Sequence, residues 1–190
     1  SIAAREDVSR AACSREVGYA LLDTAQNDYK PYLYVEEADD TFFETMPVHL
    51  SAGRLPQNSS EVLLPEHLRT NGGVKKSIGD TLELPLGKRV ASDGEVLDQF
   101  ISYQAGENGV SEQLVTSETR SYTVVGFYER PSFEHYSAPG YTVLTRMDGA
   151  VGSSDALYHV YFKLDDVKST YQVLEEESEA GGVVRILRNS

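Results

Sequence analysis

The order of elements along this chain predicts an α+β fold, and three observations carry that reading. Residues 121–128 (SYTVVGFY), 141–145 (YTVLT) and 157–164 (LYHVYFKL) are dense in aromatic and β-branched residues and read as strands, the last with Val160, Phe162 and Leu164 on one side. Residues 165–179 (DDVKSTYQVLEEESE) place Val167, Tyr171 and Leu174 at helical spacing, behind an Asp165 or Asp166 cap and ahead of Gly181-Gly182. Residues 183–187 return to a strand pattern. Strands, then a helix, then a strand give an α+β sandwich rather than a doubly wound nucleotide fold.

From the N-terminus, residues 16–22 (EVGYALL) and 31–35 (PYLYV) are the first strand candidates. Residues 41–46 (TFFETM), entered through Asp39 and Asp40 as caps, form a short helix that Pro47 interrupts. A strand is expected at 61–64 and a short helix at 66–70, started near Pro65 and closed by Asn71-Gly72-Gly73. Residues 81–86 alternate, so that Leu82, Leu84 and Leu86 share a face that should be buried. The polar stretch 88–120 reads as strands near 95–103 and 113–117 joined by a mobile hairpin.

The 190 residues suffice for one domain or two small lobes, and 40% apolar with 25% charged residues is a globular composition. Seventeen basic against 30 acidic side chains give a formal charge of −13, which repels nucleic-acid phosphates and anionic headgroups. The nearest approach to a basic patch is Lys75 and Lys76 with Lys88 and Arg89. The single cysteine, Cys13, has no internal disulfide partner and reads as a buried or incidental thiol. No run approaches 18 consecutive apolar residues, and the first residues lack the order of a signal peptide.

No motif for chemistry emerges. NGGVKKSIGD, residues 71–80, lacks both nucleotide-loop spacings and follows a helix instead of preceding one, so its glycines read as a helix stop and a turn. His49, His67, His135 and His159 form no H-E-x-x-H pair. His67 is expected on the exposed side of its helix and His159 on a strand surface. Glu134 and His135 in the loop RPSFEHYSAPGY would be the residues of a secreted hydrolase, the alternative enzymatic reading. The acid runs 36–40 and 175–179 read as solvated faces, with weak divalent-ion binding as the minor option. Twelve tyrosines and no tryptophan direct attention to the loop carrying Tyr128, Phe133, Tyr136 and Tyr141 as a partner-contact region.

Four motifs occur in order: Gly53-Arg54-x-Pro56, the apolar strand Glu61 to Leu64, Ile78-Gly79-Asp80 before an alternating strand, and Val124 to Phe127 around Gly126, with the pair Glu66-His67 on the short helix between the second and the third. This succession resembles the extracytoplasmic domain of FtsX-like and MacB-like ABC transporter permeases, over most of the chain. The resemblance implies an α+β domain with a mixed-sheet and helix outer lobe, residues 1–49 and 130–190, and an inserted β-rich lobe, residues 50–129 (a MacB-like periplasmic core domain). It also implies a non-catalytic module carried between the first and second membrane helices and exposed outside the cell membrane. ATP, the only cofactor of such a system, would be used by a separate cytoplasmic ATPase subunit or domain. Peptides, lipids, lipoproteins or a cell-wall hydrolase are the partners that fit, and nucleic acid is not. A stand-alone solute-binding or adhesive module is the remaining alternative. Gly53 and Gly79 suit turns, Arg54 suits a carboxylate, and Asp80 suits turn N–H groups, so their expected roles are structural.

Overall fold

Leucines at every second position of residues 82–86 set the rule by which the core is built. Their relative exposures are 7%, 5% and 1%, and each contributes about 2 kcal/mol of apolar burial. The computed structural model describes residues 8–106, 111–149, 156–164 and 176, so the helix read at 165–179 and the strand at 183–187 lie outside the described residues. The elements are β1 (Val8–Leu21), β2 (Tyr32–Ala38), α1 (Asp40–Thr45), β3 (Leu50–Gly53), β4 (Glu61–Pro65), α2 (Glu66–Asn71), β5 (Thr81–Ala91), β6 (Val96–Leu97), β7 (Glu112–Tyr128), β8 (Gly140–Arg146) and β9 (Tyr158–Leu164). They form a mixed α/β domain dominated by one sheet, with two short helices among the described residues.

The sheet runs β3-β7-β4-β8-β2-β1-β5-β6, with β9 on β1 and an additional pairing of β7 with β5. That extra pairing returns the order on itself, so β7, β4, β8, β2, β1 and β5 close a circuit. Alternate residues of all six strands meet in one apolar cluster, including Ala20, Leu33, Val62, Leu64, Leu84, Val124 and Val143. A second cluster collects Ala12, Ala38, Phe42, Leu63, Tyr128 and Leu144 beneath α1. Asp39 fixes that helix: its Oδ1 accepts the Phe42 N–H at 2.7 Å, while its Oδ2 accepts the Cys13 N–H at 3.0 Å. The neighbouring Cys13 thiol is pushed up by burial and by the Asp39 charge.

Closure brings backbones very near each other. A Cβ on Gly18 would lie 2.8 Å from the Gly87 carbonyl oxygen, and one on Gly87 would lie 2.2 Å from that of Val115. Only glycine fits this seam, where β1 and β5 share the single pair Tyr19 and Gly87.

Two expectations for residues 88–128 are corrected. Residues 113–117 and 121–128 are not separate strands but one 17-residue strand, β7. Its first half keeps most side chains in water, because backbone pairing with β5 orders it without demanding an apolar pattern. Of residues 95–103, only Val96 and Leu97 are strand. The rest turns at Asp98, whose carboxylate accepts the N–H groups of Phe100 and Ile101 at 2.8 and 3.1 Å.

Arg89 holds this irregular segment and is no part of a surface basic patch. Its side chain is fully buried, paired with the equally buried Glu112 at 2.7 Å, and donates to the carbonyls of Asp98, Ile101 and Ser102. Its guanidinium also lies over the rings of Tyr19 and Tyr32, at 5.4 and 5.8 Å. Glu112 answers the second demand by accepting the Gln104 N–H at 2.9 Å. The polar segment that suggested mobility is therefore tied at its centre. Residues 107–110 lie outside the described residues.

Removing one partner of this pair strands a buried charge. Arg89→Met should cost about 3–5 kcal/mol in urea unfolding, whereas Arg89→Met combined with Glu112→Leu should recover much of that loss. Equal destabilisation in single and double variants would show that the pair itself does not fix the segment.

Candidate functional site

The motif residues read separately along the sequence meet at one junction around residues 123–126 of β7. Gly53 pairs with Gly126 across β3 and β7. A Cβ on Gly53 would lie 2.2 Å from the Val125 carbonyl oxygen, and one on Gly126 would lie 2.7 Å from that of Ala52 and 2.9 Å from that of Arg54. Arg54 grips Glu61 in a two-pronged pair with both contacts at 2.6 Å, and Glu61 also accepts the Gln57 N–H at 2.8 Å. The hydrogen bond from Arg54 draws the Glu61 carboxyl down to about 2. Pro56 is buried at the turn, and its carbonyl accepts from Arg146 Nε at 2.8 Å. Gly79, at φ +95°, donates its N–H to the Val124 carbonyl. Asp80 caps that turn by accepting the Ser77 N–H at 2.9 Å and receives the Val124 N–H on its own carbonyl. The second member of Glu66-His67 points elsewhere, to the loop after β7.

That loop, residues 129–139, is anchored by Glu134, whose carboxylate is wholly buried. One oxygen receives Lys30 Nζ at 2.9 Å and faces His67 Nε2 at 3.0 Å. The other receives the Thr142 N–H at 2.8 Å and the Thr142 hydroxyl at 2.7 Å. Burial alone would raise this carboxyl, but the His67 hydrogen bond and the Lys30 charge overcome it and hold it at about 2. Lys30 donates a further bond to the Ala138 carbonyl at 2.9 Å, and its own ammonium is lowered by burial against the restoring charge of Glu134. Tyr141 completes the node, 4.9 Å from Lys30 Nζ and 5.0 Å from the His67 ring. Loop 129–139, α2 and the end of the β1–β2 connection are thereby joined at one end of the sheet circuit.

This geometry corrects the hydrolase reading at Glu134. Both oxygens are committed, the group is shut from solvent, and a carboxyl at about 2 gives no proton near neutrality. His135 is exposed and bonds Ser137 Oγ at 2.8 Å, and among the described residues no carboxylate is bonded to it. His67 is also corrected: its side chain is 11% exposed and faces inward. Of the four contact candidates, Tyr128 and Tyr141 are fully buried and Tyr128 donates to the Thr142 carbonyl at 2.6 Å. Phe133 packs against Phe42, and Tyr136 alone stands out, at 83% exposure.

The acid run 36–40 is a solvated face only at its end, where Asp40 is exposed. Glu36 and Glu37 are buried in β2 because every residue of that strand is covered on both sides. Glu37 pairs with Arg15 and with Arg120, the latter at 3.2 Å. Glu36 takes the Ser14 hydroxyl and faces His159 Nδ1 at 3.1 Å, so His159 is a half-buried partner and not a surface residue. Burial lowers His159, but the Glu36 hydrogen bond and charge outweigh it and leave the imidazole raised. Glu16, beside this pair, is lifted to about 7, first by burial and then by the Glu36 charge, against the lowering effect of His159. Among the described residues, no group of three or more His, Cys, Asp or Glu side chains is arranged to hold a metal ion. Sequence spacing could not have joined Lys30, His67 and Glu134, which are separated by 104 and 67 positions from the shared carboxylate.

Two pH dependences follow with opposite signs. Glu134 sits below its ordinary 4.5 in the folded chain, so its contribution is full above pH 4.5 and lost as pH falls toward 2. The stability gap between wild type and Glu134→Gln should accordingly shrink over that interval in urea titrations. Glu16 sits above 4.5, so its ionisation opposes folding as pH rises from 4.5 through about 7. Glu16→Gln should therefore stabilise the domain at pH 8 and leave it unchanged below pH 4.5.

No protein-family model matches this chain, and no curated protein matches it. Among the described residues, no helix is long and apolar enough to cross a membrane. Solved structures similar to it include a domain of a proposed permease protein from Porphyromonas gingivalis, at 18% identity and a TM-score of 0.44, over 92% of this chain and 65% of that one. Another is the extracellular domain of the noncanonic ABC-type transporter YknZ from Gram-positive bacteria, at 8% identity and a TM-score of 0.45, over 94% of this chain and 80% of that one. The chain thus spans just under two thirds of the Porphyromonas domain.

Proposed function

We propose that this chain is a non-catalytic extracytoplasmic domain of an ABC transporter permease, which turns nucleotide-driven motion of membrane helices into altered contacts with a substrate or partner. The observation that carries the reading is the junction at residues 123–126. Four motifs that resemble that family in order are also one physical assembly, with Gly53 and Gly126 packed backbone to backbone, Gly79 hydrogen-bonded to Val124 and Arg54 locked to Glu61. ATP would be hydrolysed by a cytoplasmic ATPase subunit or domain. The surface offered to a peptide, lipid, lipoprotein or cell-wall hydrolase would include Tyr136 on its anchored loop.

The division into an inserted lobe, residues 50–129, and an outer lobe belongs to the same proposal. Its support is that the two pairings between these segments are the thinnest in the circuit. β1 meets β5 at one residue pair and β4 meets β8 at two, whereas β5 and β7 share eleven and β2 and β8 share seven. Motion between lobes would open those joins first.

Affinity purification of the full-length native protein, gently solubilised from its source membrane, tests the main reading. Recovery with an ATPase subunit, or as a chain carrying its own ATPase domain, is expected; a soluble polypeptide with neither overturns it. Native-state hydrogen exchange tests the lobes. Amides of the β1–β5 and β4–β8 joins should open at lower free energy than those of β5–β7, and fully concerted exchange would count against lobe motion.

A further inference from the structure

A groove of about 510 Å³ lies between the β1–β2 connection and the C-terminal end of α2, lined by Gln26, Asn27, Asp28, Tyr29, Thr70 and Asn71. We propose that it binds a neutral saccharide, with Tyr29 as the stacking platform and the amides as partners for sugar hydroxyls. The groove is shallow, open to solvent and polar-lined, so a ligand would lie along it with one face in water. Three of its six side chains are amides, one is a hydroxyl and one a tyrosine, which together offer donors and acceptors in close succession around one flat ring. Tyr29 is 64% exposed, which leaves its ring available to a ligand.

Charge narrows the ligand class. Among the described residues, Asp28 is the only lining side chain charged at neutral pH. The cations adjoining the lining in sequence are directed elsewhere: Lys30 is buried on Glu134, and Arg69 lies over the Phe127 ring at 4.6 Å and faces Glu66. A phosphate or carboxylate ligand would meet Asp28 with no lining cation to offset it. An apolar ligand would desolvate the amides without replacing their hydrogen bonds. A polyhydroxylated neutral ring satisfies both the amides and Asp28, and its C–H face covers tyrosine.

The walls are set before any ligand arrives. Asn27 Oδ1 accepts the Tyr29 N–H at 3.0 Å, and the Asn27 carbonyl accepts the Lys30 N–H at 3.0 Å. Thr24 Oγ1 donates to the Gly72 carbonyl at 3.4 Å across the two walls. Gly73 packs so near the Thr24 carbonyl that a Cβ there would come within 2.9 Å of it. Lys30, held by Glu134 and Ala138, fixes the following residue as well. Such preorganisation lowers the ordering cost of binding.

The test is titration of the 190-residue chain with chitotetraose and, separately, maltotetraose, followed by amide chemical shifts. At least one should give saturable shifts confined to residues 26–29 and 70–71, with a Kd on the order of 1 mM. Tyr29→Ala should weaken that binding about tenfold or more, Tyr29→Phe should keep it within about threefold, and Tyr136→Ala, outside the groove, should leave it unchanged. Absence of saturable shifts up to ~10 mM for both sugars overturns the proposal, as do shifts mapping to another surface or wild-type binding by Tyr29→Ala. Because Tyr29 is exposed, an unchanged thermal midpoint in its variants separates lost binding from lost folding.

Discussion

Strand β7 changes neighbours along its length, and the domain is organised around that change. Up to Thr123 it runs antiparallel to β5; from there to Tyr128 it has β4 on one edge and β3 on the other. A strand has only two hydrogen-bonding edges, so β5 must leave where β3 arrives. The exchange happens within a few residues, at Thr123 to Gly126, where the turn of Gly79 and Asp80 hands its N–H and carbonyl groups to Val124. Backbone from β3, β4, β7 and the 77–80 turn crowds this spot. Glycine at 53 and 126 is the consequence, since a methyl group at either would stand within 3 Å of a carbonyl oxygen.

A circuit of strands with an apolar interior still leaves its loops to be fastened, and buried ion pairs fasten them here. Arg89 and Glu112 hold residues 98–104 against the β5–β7 ribbon. Lys30, His67 and Glu134 hold loop 129–139 to the opposite connections. Arg15 and Arg120 share Glu37 on β2. Each carboxylate is almost wholly removed from water, so each node costs several kcal/mol of desolvation that its hydrogen bonds must offset. Such nodes add little net stability compared with apolar packing. What they supply is position, because a loop that left its place would leave a buried charge without its partner.

The parts of the fold written in local pattern were legible from the sequence. The leucine alternation of β5, the Asp39 cap of α1 and the glycine stop of α2 are decided within a few residues, and they stand where their spacing put them. Segments governed by distant partners were not. The exposed half of β7 has the composition of a loop and is ordered by β5, some thirty positions earlier in the chain, as Ser117 Oγ reaching the Leu86 carbonyl illustrates. Glu36 and Glu37 look solvated until β1, β8 and β9 enclose β2. Of the contact residues, Tyr136 could be told from Tyr128 and Tyr141 only by knowing which side of β7 and β8 faces the core. The motif junction shows the opposite case: glycine, arginine and aspartate at turns are chosen by backbone geometry, and that geometry leaves its mark in sequence order.

Stiffness in this architecture is uneven in a way that bears on force transmission. The long β5–β7 and β1–β2–β8 pairings would distribute a load over many backbone hydrogen bonds. Between the two groups the sheet pairing thins to one residue pair at Tyr19 and Gly87 and two between β4 and β8, supplemented by side-chain bonds that include His67 to Glu134, Arg120 to Glu37, Tyr128 to the Thr142 carbonyl, Gln99 to the Gly140 carbonyl and Arg146 to the Pro56 carbonyl. The apolar cluster drawn from all six strands resists full separation, because parting the walls would expose Leu33, Val62, Leu84 and Val143 together. If the two segments move as proposed, small shear at the thin sheet joins, with the core kept closed, is the displacement that exposes the least apolar surface. It would be felt most directly by loop 129–139, whose anchor takes Lys30 from one group and His67 from the other.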